Sequence, residues 1–160
     1  MFLTCKNRIN LKPHRPKKEE IAQADVLLIR HAVSTFNYLT CETRKKYGPK
    51  SKVEMIKEHR NPANIDPPLH VVGRYQCELE RAHFETIDFE VVFTSPYLRT
   101  LETASLLFEN HPNRENIKFI ALPLARTTLA SLSDLAGDIS VARERFPLFD
   151  YKIVDDHWIH

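Results

Sequence analysis

Two short segments of this chain place side chains that can handle an anion just beyond an apolar run. Arg30 and His31 follow the run at residues 26–29, and Arg99 lies shortly after the run at residues 89–93. Arginine offers a planar, permanently charged group that matches the oxygens of a phosphate. Neutral imidazole is available near pH 7 and can accept a phosphoryl group covalently. These residue types predict phosphate chemistry, with His31 as the nucleophile and the two arginines as anion ligands.

The elements that must position these residues follow from hydrophobic periodicity. Three apolar runs predict strands, at residues 26–29, 89–93 and 117–122; the first, being continuous, favours burial on both faces. Helical spacing of apolar residues predicts helices over 72–84 and 95–108, the second beginning with Ser95 as N-cap and Pro96 at the first helical position. Strands that alternate with helices indicate an α/β layered fold, in which ligands bind at the carboxyl ends of the strands.

The remaining stretches predict less regular structure. Residues 1–23 are polar, basic and broken by prolines, which favours an arm, and the domain itself is expected over 24–160. A helix can begin between residues 33 and 41, but the prolines and charges that follow indicate a surface excursion at about 40–65. Beyond Leu124 the pattern weakens, with only rough helical spacing from Leu129 to Ile139.

Composition fits one soluble domain. The chain has 160 residues, of which 42% are hydrophobic and 28% charged, which is ordinary for a globular protein. No apolar run approaches the length that a membrane helix needs, so no membrane association is expected. The three cysteines are widely spaced, which favours free thiols in a reducing, cytoplasmic setting over a disulfide framework or a metal site.

Basic side chains are concentrated in two places. Residues 1–18 carry six basic and no acidic side chains, and residues 42–60 carry seven basic and three acidic ones. Such an excess favours anionic ligands or forms a solvated surface. Nucleic-acid binding is not favoured, because the basic stretches lack interleaved aromatic residues and match no known module.

Three short motifs of the sequence are more informative together, in the order in which they occur, than each one is alone. Arg30-His31-Ala32, followed by Ser34 and Asn37, is the first block. The second is residues 66–76, with the pattern Asp-x-x-Leu…Gly…Gln, and the third is the run of residues 94–104 that contains Arg99. Together they resemble the histidine phosphatase superfamily, the phosphoglycerate-mutase-like enzymes, over residues 25–108.

The resemblance implies a three-layer sandwich, with a mostly parallel central sheet flanked by helices, that is incomplete in this chain. It implies that His31 accepts the phosphoryl group, that Arg30 and Arg99 hold its oxygens, and that Ser34 and Asn37 line the pocket. It implies no metal and no cofactor. The expected ligand is a phosphorylated small molecule or a phosphoprotein.

The chain departs from the family pattern at two catalytic positions. Thr127 stands where relatives carry an acidic proton donor, and Asp134 can replace that donor only if its loop folds back. The second phosphate-binding histidine is also missing, because His157 and His160 lie in a polar segment with no buried strand before it. Two interpretations stay open: the N-terminal part of a phosphatase that works through phosphohistidine, or an impaired pseudo-phosphatase that binds phosphorylated ligands or protein partners.

Overall fold

The structure, a computed structural model, describes residues 26–48 and 52–154. Its helices are α1 (Thr35–Tyr47), α2 (Lys52–His59), α3 (Val71–Phe84), α4 (Leu98–Leu107) and α5 (Ile139–Arg145). Its strands are β1 (Val91–Thr94) and β2 (Lys118–Ala121). The predicted basic arm at 1–23 and the terminal histidines, His157 and His160, lie outside the described residues.

The centre of the fold is a parallel β1–α4–β2 unit. Val91 pairs with Lys118 and Thr94 with Ala121, so the carboxyl ends of both strands meet at the same edge. The β-branched and aromatic residues of β1 favour extended backbone. A bridge at Asp150 continues the pairing beyond β2, since its N–H donates to the Phe119 carbonyl at 2.8 Å. The polar segments after the two strands are therefore brought to one side of the molecule.

The core lies between this small sheet and helices α3 and α4. Its centre is a group of aromatic rings that pack mainly edge to face, as aromatic pairs prefer: Phe84, Phe89, Phe108, Phe119 and Phe149. Leu101 on α4 and Ala121 on β2 are fully buried beside them. The α/β class is confirmed at the level of five helices and a two-stranded parallel sheet among the described residues.

The predicted first strand is wrong. Residues 26–29 belong to no helix or strand, and Val26 and Leu28 are 72% and 88% exposed. A strand requires a hydrogen-bonding partner, and no described strand pairs with this run. A hydrogen bond to the N-cap of α3 follows a few residues later, where the His70 N–H donates to the Val33 carbonyl at 2.9 Å.

The start of the helix after β1 was also mispredicted. Helix α4 begins at Leu98 with Tyr97 as its N-cap, not at Ser95. The Leu98 N–H instead donates to the Asp66 carboxylate at 2.9 Å. A capping group that is remote in sequence therefore fixes this end of the helix.

Two further stretches differ from the sequence prediction: one contains more regular helix than expected, and the other contains less. The stretch at 40–65 contains most of α1 and all of α2, and none of the residues of α2 is buried. The helical spacing at 129–139 was misleading, because that stretch forms only a 3₁₀ turn at Leu132–Asp134 and α5 begins at its end. None of the described helices has the length and apolar character required to cross a membrane.

Candidate functional site

The backbone that carries His31 is held by close packing against α3. The Val33 N–H donates to Gln76 Oε1 at 3.1 Å, which complements the His70–Val33 hydrogen bond. A Cβ atom at Gly73 would lie 2.2 Å from the Val33 carbonyl oxygen. Only glycine allows this approach, so Gly73 and Gln76 have a structural role: they hold the Val33 backbone against α3.

Helix α4 connects this segment to the second arginine. The Ala32 N–H donates to Thr103 Oγ1 at 3.1 Å, and the same hydroxyl donates to the Arg99 carbonyl at 2.7 Å. Thr103 is therefore hydrogen-bonded to the backbone of both predicted anion-binding segments. One buried hydroxyl places the residue after His31 next to the helical turn that begins with Arg99.

His31 is partly buried, and its electrostatic surroundings favour the neutral imidazole. Burial lowers the pKa of His31 from 6.5 to about 4, and the positive charges of Arg99 and Arg30 contribute to the decrease. His31 Nδ1 lies 2.7 Å from the Ala32 carbonyl oxygen. Because a carbonyl can only accept, Nδ1 carries the proton in the neutral ring and the lone pair is on Nε2. At pH 7 His31 is therefore in the protonation state that a nucleophile requires.

Arg99 is almost completely buried, with 4% of its surface exposed. Its Nη1 donates to the Ser133 carbonyl at 2.6 Å, and its Nη2 lies 3.3 Å from Asp134 Oδ1. The guanidinium also stands over the Tyr97 ring at 4.5 Å. Burial lowers its pKa, and the nearby carboxylates act in the opposite direction. The terminal nitrogens of Arg99, which were predicted to bind phosphate, thus contact other groups of the protein.

The loop after β2 does fold back, as a role for Asp134 requires. The Asp134 carboxylate accepts hydrogen bonds from the N–H groups of Ala130 and Ser131, both at 3.1 Å. The Tyr97 hydroxyl donates to the Asp134 carbonyl at 2.6 Å. Asp134 also interacts electrostatically with His31, so it belongs to the same site.

Asp66 is a site residue that had no role predicted from the sequence beyond its place in the connecting block. It is 5% exposed and adopts a positive φ of 42°. Besides capping α4, its carboxylate accepts from the Gly137 N–H at 3.2 Å. Burial raises the pKa of Asp66 to about 6. The local sequence could have drawn attention to Asp66, because aspartate tolerates a positive φ and Pro67 disfavours helical backbone at the residue before it.

The other predicted ligands have different surroundings. Arg30 is exposed but lies near enough to His31 and Arg99 to lower the pKa of both. Ser34 and Asn37 form a capping box at the start of α1, with Ser34 Oγ accepting from the Asn37 N–H at 3.1 Å. Ser34 is buried, so its hydroxyl contributes to the helix start. Phosphate binding by Ser34 and Asn37 stays a prediction.

Thr127 is exposed, and its hydroxyl offers no acidic proton at neutral pH. In residues 26–48 and 52–154, no cluster of three or more histidine, cysteine, aspartate or glutamate side chains has the arrangement of a metal site. The groups that the structure brings together at this site are the His31 imidazole, the guanidinium groups of Arg30 and Arg99, and the carboxyl groups of Asp66 and Asp134.

A known protein family matches the part of the chain that contains His31 and Arg99. The family model described as histidine phosphatase superfamily (branch 1) matches residues 26–120, which is more than half of the chain. The match includes His31, Arg99 and the connecting block between them. No curated protein and no solved structure matched the chain.

Proposed function

The chain belongs to the histidine phosphatase superfamily, and we propose that it hydrolyses phosphomonoesters through a phosphohistidine formed on His31. The observation that carries this proposal is the state of His31. Its ring is neutral at pH 7, its Nδ1–H is engaged with the Ala32 carbonyl, and Nε2 bears the lone pair. Arg99 and Arg30 supply positive charge beside it.

The reaction has two steps. In the first, Nε2 attacks phosphorus, a P–N bond forms, the P–O bond to the alcohol breaks, and the departing alkoxide takes a proton from solvent. In the second, water attacks the phosphohistidine and releases a proton to solvent, the P–N bond breaks, and inorganic phosphate is released with His31 regenerated. Positive charge held near the transferring oxygens stabilises both transition states. The proposed substrate classes are phosphorylated small molecules and phosphoproteins. The domain that carries the site is proposed to be a three-layer domain over 24–160.

A second candidate function is phosphate binding without turnover. It is favoured by one specific observation: Thr127 is exposed at the position expected of the acidic proton donor, and a threonine is a poor proton donor for a leaving alcohol. The two candidates share the anion site and differ only in whether the P–O bond breaks.

The test compares the purified chain with its His31→Ala variant, using p-nitrophenyl phosphate at pH 7. We expect turnover in the parent and none in the variant, because alanine cannot form the covalent intermediate. His83→Ala is the matched control, since His83 lies at the far end of α3. Thermal unfolding of all three proteins reports whether the fold is retained.

Equal turnover by the parent and His31→Ala would exclude the phosphohistidine route. Absence of turnover in the parent, combined with thermal stabilisation by phosphate beyond that of chloride at equal ionic strength, identifies the non-catalytic candidate. Each result thus separates the two functions.

A further inference from the structure

The turn that follows the second strand covers the buried arginine of the anion site. This covering turn, Ser131–Asp134, accepts from Nη1 of Arg99 through the Ser133 carbonyl and from Nη2 through the Asp134 carboxylate. Only 4% of the arginine surface is exposed. A phosphate oxygen therefore reaches the terminal nitrogens of Arg99 only if the covering turn moves.

We propose that Asp134 is an internal competitor for the anionic ligand: its carboxylate occupies Arg99 until a phosphate group displaces the covering turn. This inference rests on the phosphate site of the proposed function, and it adds how access to that site is controlled. It makes Asp134 a residue that determines affinity and selectivity, not a residue that reacts.

The contacts of the covering turn suit a unit that moves together. Asp134 Oδ2 accepts from Ala130 N, Ser131 N and Ser131 Oγ, so the carboxylate remains satisfied when the turn separates from Arg99. In the folded position it is further attached by the Tyr97 hydroxyl. Displacement therefore exchanges one ion pair and few hydrogen bonds for contacts with the ligand.

The chain on the amino side of the covering turn supports the same conclusion. Every residue from 124 to 130 is exposed, and Leu124 is 89% exposed. A segment with so few buried apolar contacts loses little free energy when it shifts. On the carboxyl side, the Gly137 N–H donates to the Asp66 carboxylate, so we expect the moving segment to end before Gly137.

Competition of this kind has a measurable consequence for selectivity. The apparent dissociation constant of a ligand equals the intrinsic dissociation constant divided by the fraction of molecules in which the site is open. A dianionic phosphate replaces a monoanionic carboxylate more effectively than chloride or acetate does, because it offers more charge and more acceptor oxygens. The internal carboxylate thus selects for strongly anionic groups.

The experiment measures phosphate affinity by calorimetric titration with inorganic phosphate at pH 7 and constant ionic strength. The proteins are the full chain, Asp134→Asn and the control Asp88→Asn, which removes an exposed carboxylate away from the site. We expect Asp134→Asn to bind phosphate about tenfold more tightly than the parent, within the usual range of coupling between linked equilibria. Asp88→Asn should bind as the parent does.

Tyr97→Phe is the second variant, in case the asparagine substitution disturbs the fold. It removes the hydroxyl that attaches the covering turn but keeps the ring beneath Arg99. We expect phosphate affinity to increase severalfold. When Arg99→Ala is combined with Asp134→Asn or with Tyr97→Phe, the increase in phosphate affinity should disappear.

The outcomes separate this inference from the proposed function. Phosphate affinity that is unchanged or weaker in both Asp134→Asn and Tyr97→Phe overturns the competition. Tighter phosphate binding in these variants, together with a parent protein that binds phosphate but does not hydrolyse p-nitrophenyl phosphate, supports the competition and contradicts the phosphatase. If neither the parent nor any variant binds phosphate, the anion site itself is absent and the competition is overturned with it.

Discussion

The two halves of the site are held by different kinds of force. The His31 segment is fixed through its backbone, by hydrogen bonds that its N–H groups donate to Gln76 and Thr103 and by the close approach of Gly73. Arg99 is fixed through its side chain, by an ion pair and a carbonyl on the covering turn. The first arrangement depends on shape, and the second depends on charge.

This difference separates two requirements of phosphoryl transfer. A nucleophile must be held in position before the substrate arrives, and close-packed backbone provides that rigidity. A buried arginine that binds an anion needs a negative partner when the site is empty, because an unpaired buried guanidinium is energetically costly. Substitutions that act on shape and those that act on charge should therefore have separable effects.

The largest expected effect comes from breaking the shape-dependent half with Gly73→Ala. The added Cβ would lie 2.2 Å from the Val33 carbonyl oxygen and 2.9 Å from its nitrogen, both backbone atoms. We expect a loss of more than about 3 kcal/mol in the free energy of unfolding, because the backbone itself must shift. Urea unfolding followed by circular dichroism measures this loss.

The control for this prediction is Ala82→Gly in the same helix. Ala82 is exposed, so the substitution tests helix propensity alone and should lower the free energy of unfolding by about 1 kcal/mol. Gly73→Ala improves helix propensity, and any loss it causes is therefore steric. A Gly73→Ala protein as stable as the parent would show that α3 does not hold the His31 segment by close contact.

The opposite pKa shifts of His31 and Asp66 allow a separate test of the electrostatics around the two halves of the site. The pKa of His31 is lowered to about 4, so its stabilising contribution is complete above pH 6.5 and is lost as the pH falls through 4. The pKa of Asp66 is raised to about 6, so its contribution is complete below pH 3.8 and is lost as the pH rises through 6. Each contribution amounts to about 3 kcal/mol, and between pH 4 and 6 they oppose each other.

Single substitutions should expose these slopes. In His31→Gln, the free energy of unfolding should decrease as the pH rises from 4 to 6, since only Asp66 remains. In Asp66→Asn, it should decrease as the pH falls over the same interval. Urea unfolding at several pH values measures both slopes, and the double variant serves as the control. Parallel curves for the two single variants would refute opposed titration at this site.

Local periodicity was sufficient to predict three elements of the fold. Strand β1, helix α3 and strand β2 lie within a few residues of their predicted bounds. Each of these elements carries its apolar run or its helical spacing of apolar residues in its own local sequence. The run at 26–29 failed because apolar character specifies a preference for burial but not the strand that must pair with it.

The candidate site was predictable only in part, for the same reason. His31 and Arg99 could be proposed from residue types after predicted strands, since parallel strands end at one edge. The fold-back of Asp134 and the capping of α4 by Asp66 depend on contacts between segments more than 30 residues apart in the chain. No local pattern encodes such contacts, and Asp134 was therefore only a conditional candidate.

The smallest predicted effect lies at the residue that joins the two halves. Thr103→Val keeps the side-chain shape but leaves the buried Ala32 N–H without its acceptor. An unsatisfied buried donor should lower the free energy of unfolding by about 1–2 kcal/mol. Thr103→Ser retains the hydroxyl and loses one methyl group, so it should preserve the link between the His31 segment and α4.

The two variants decide whether the link itself matters for activity. If Thr103 positions His31 relative to Arg99, phosphatase turnover should fall in Thr103→Val and be restored in Thr103→Ser, although serine leaves a small cavity. If Thr103 only fills space, the order reverses, because valine fills the site better than serine. Turnover measured beside thermal unfolding for both variants distinguishes the hydrogen bond from the packing, and so shows whether the shape-dependent and charge-dependent halves act together or separately.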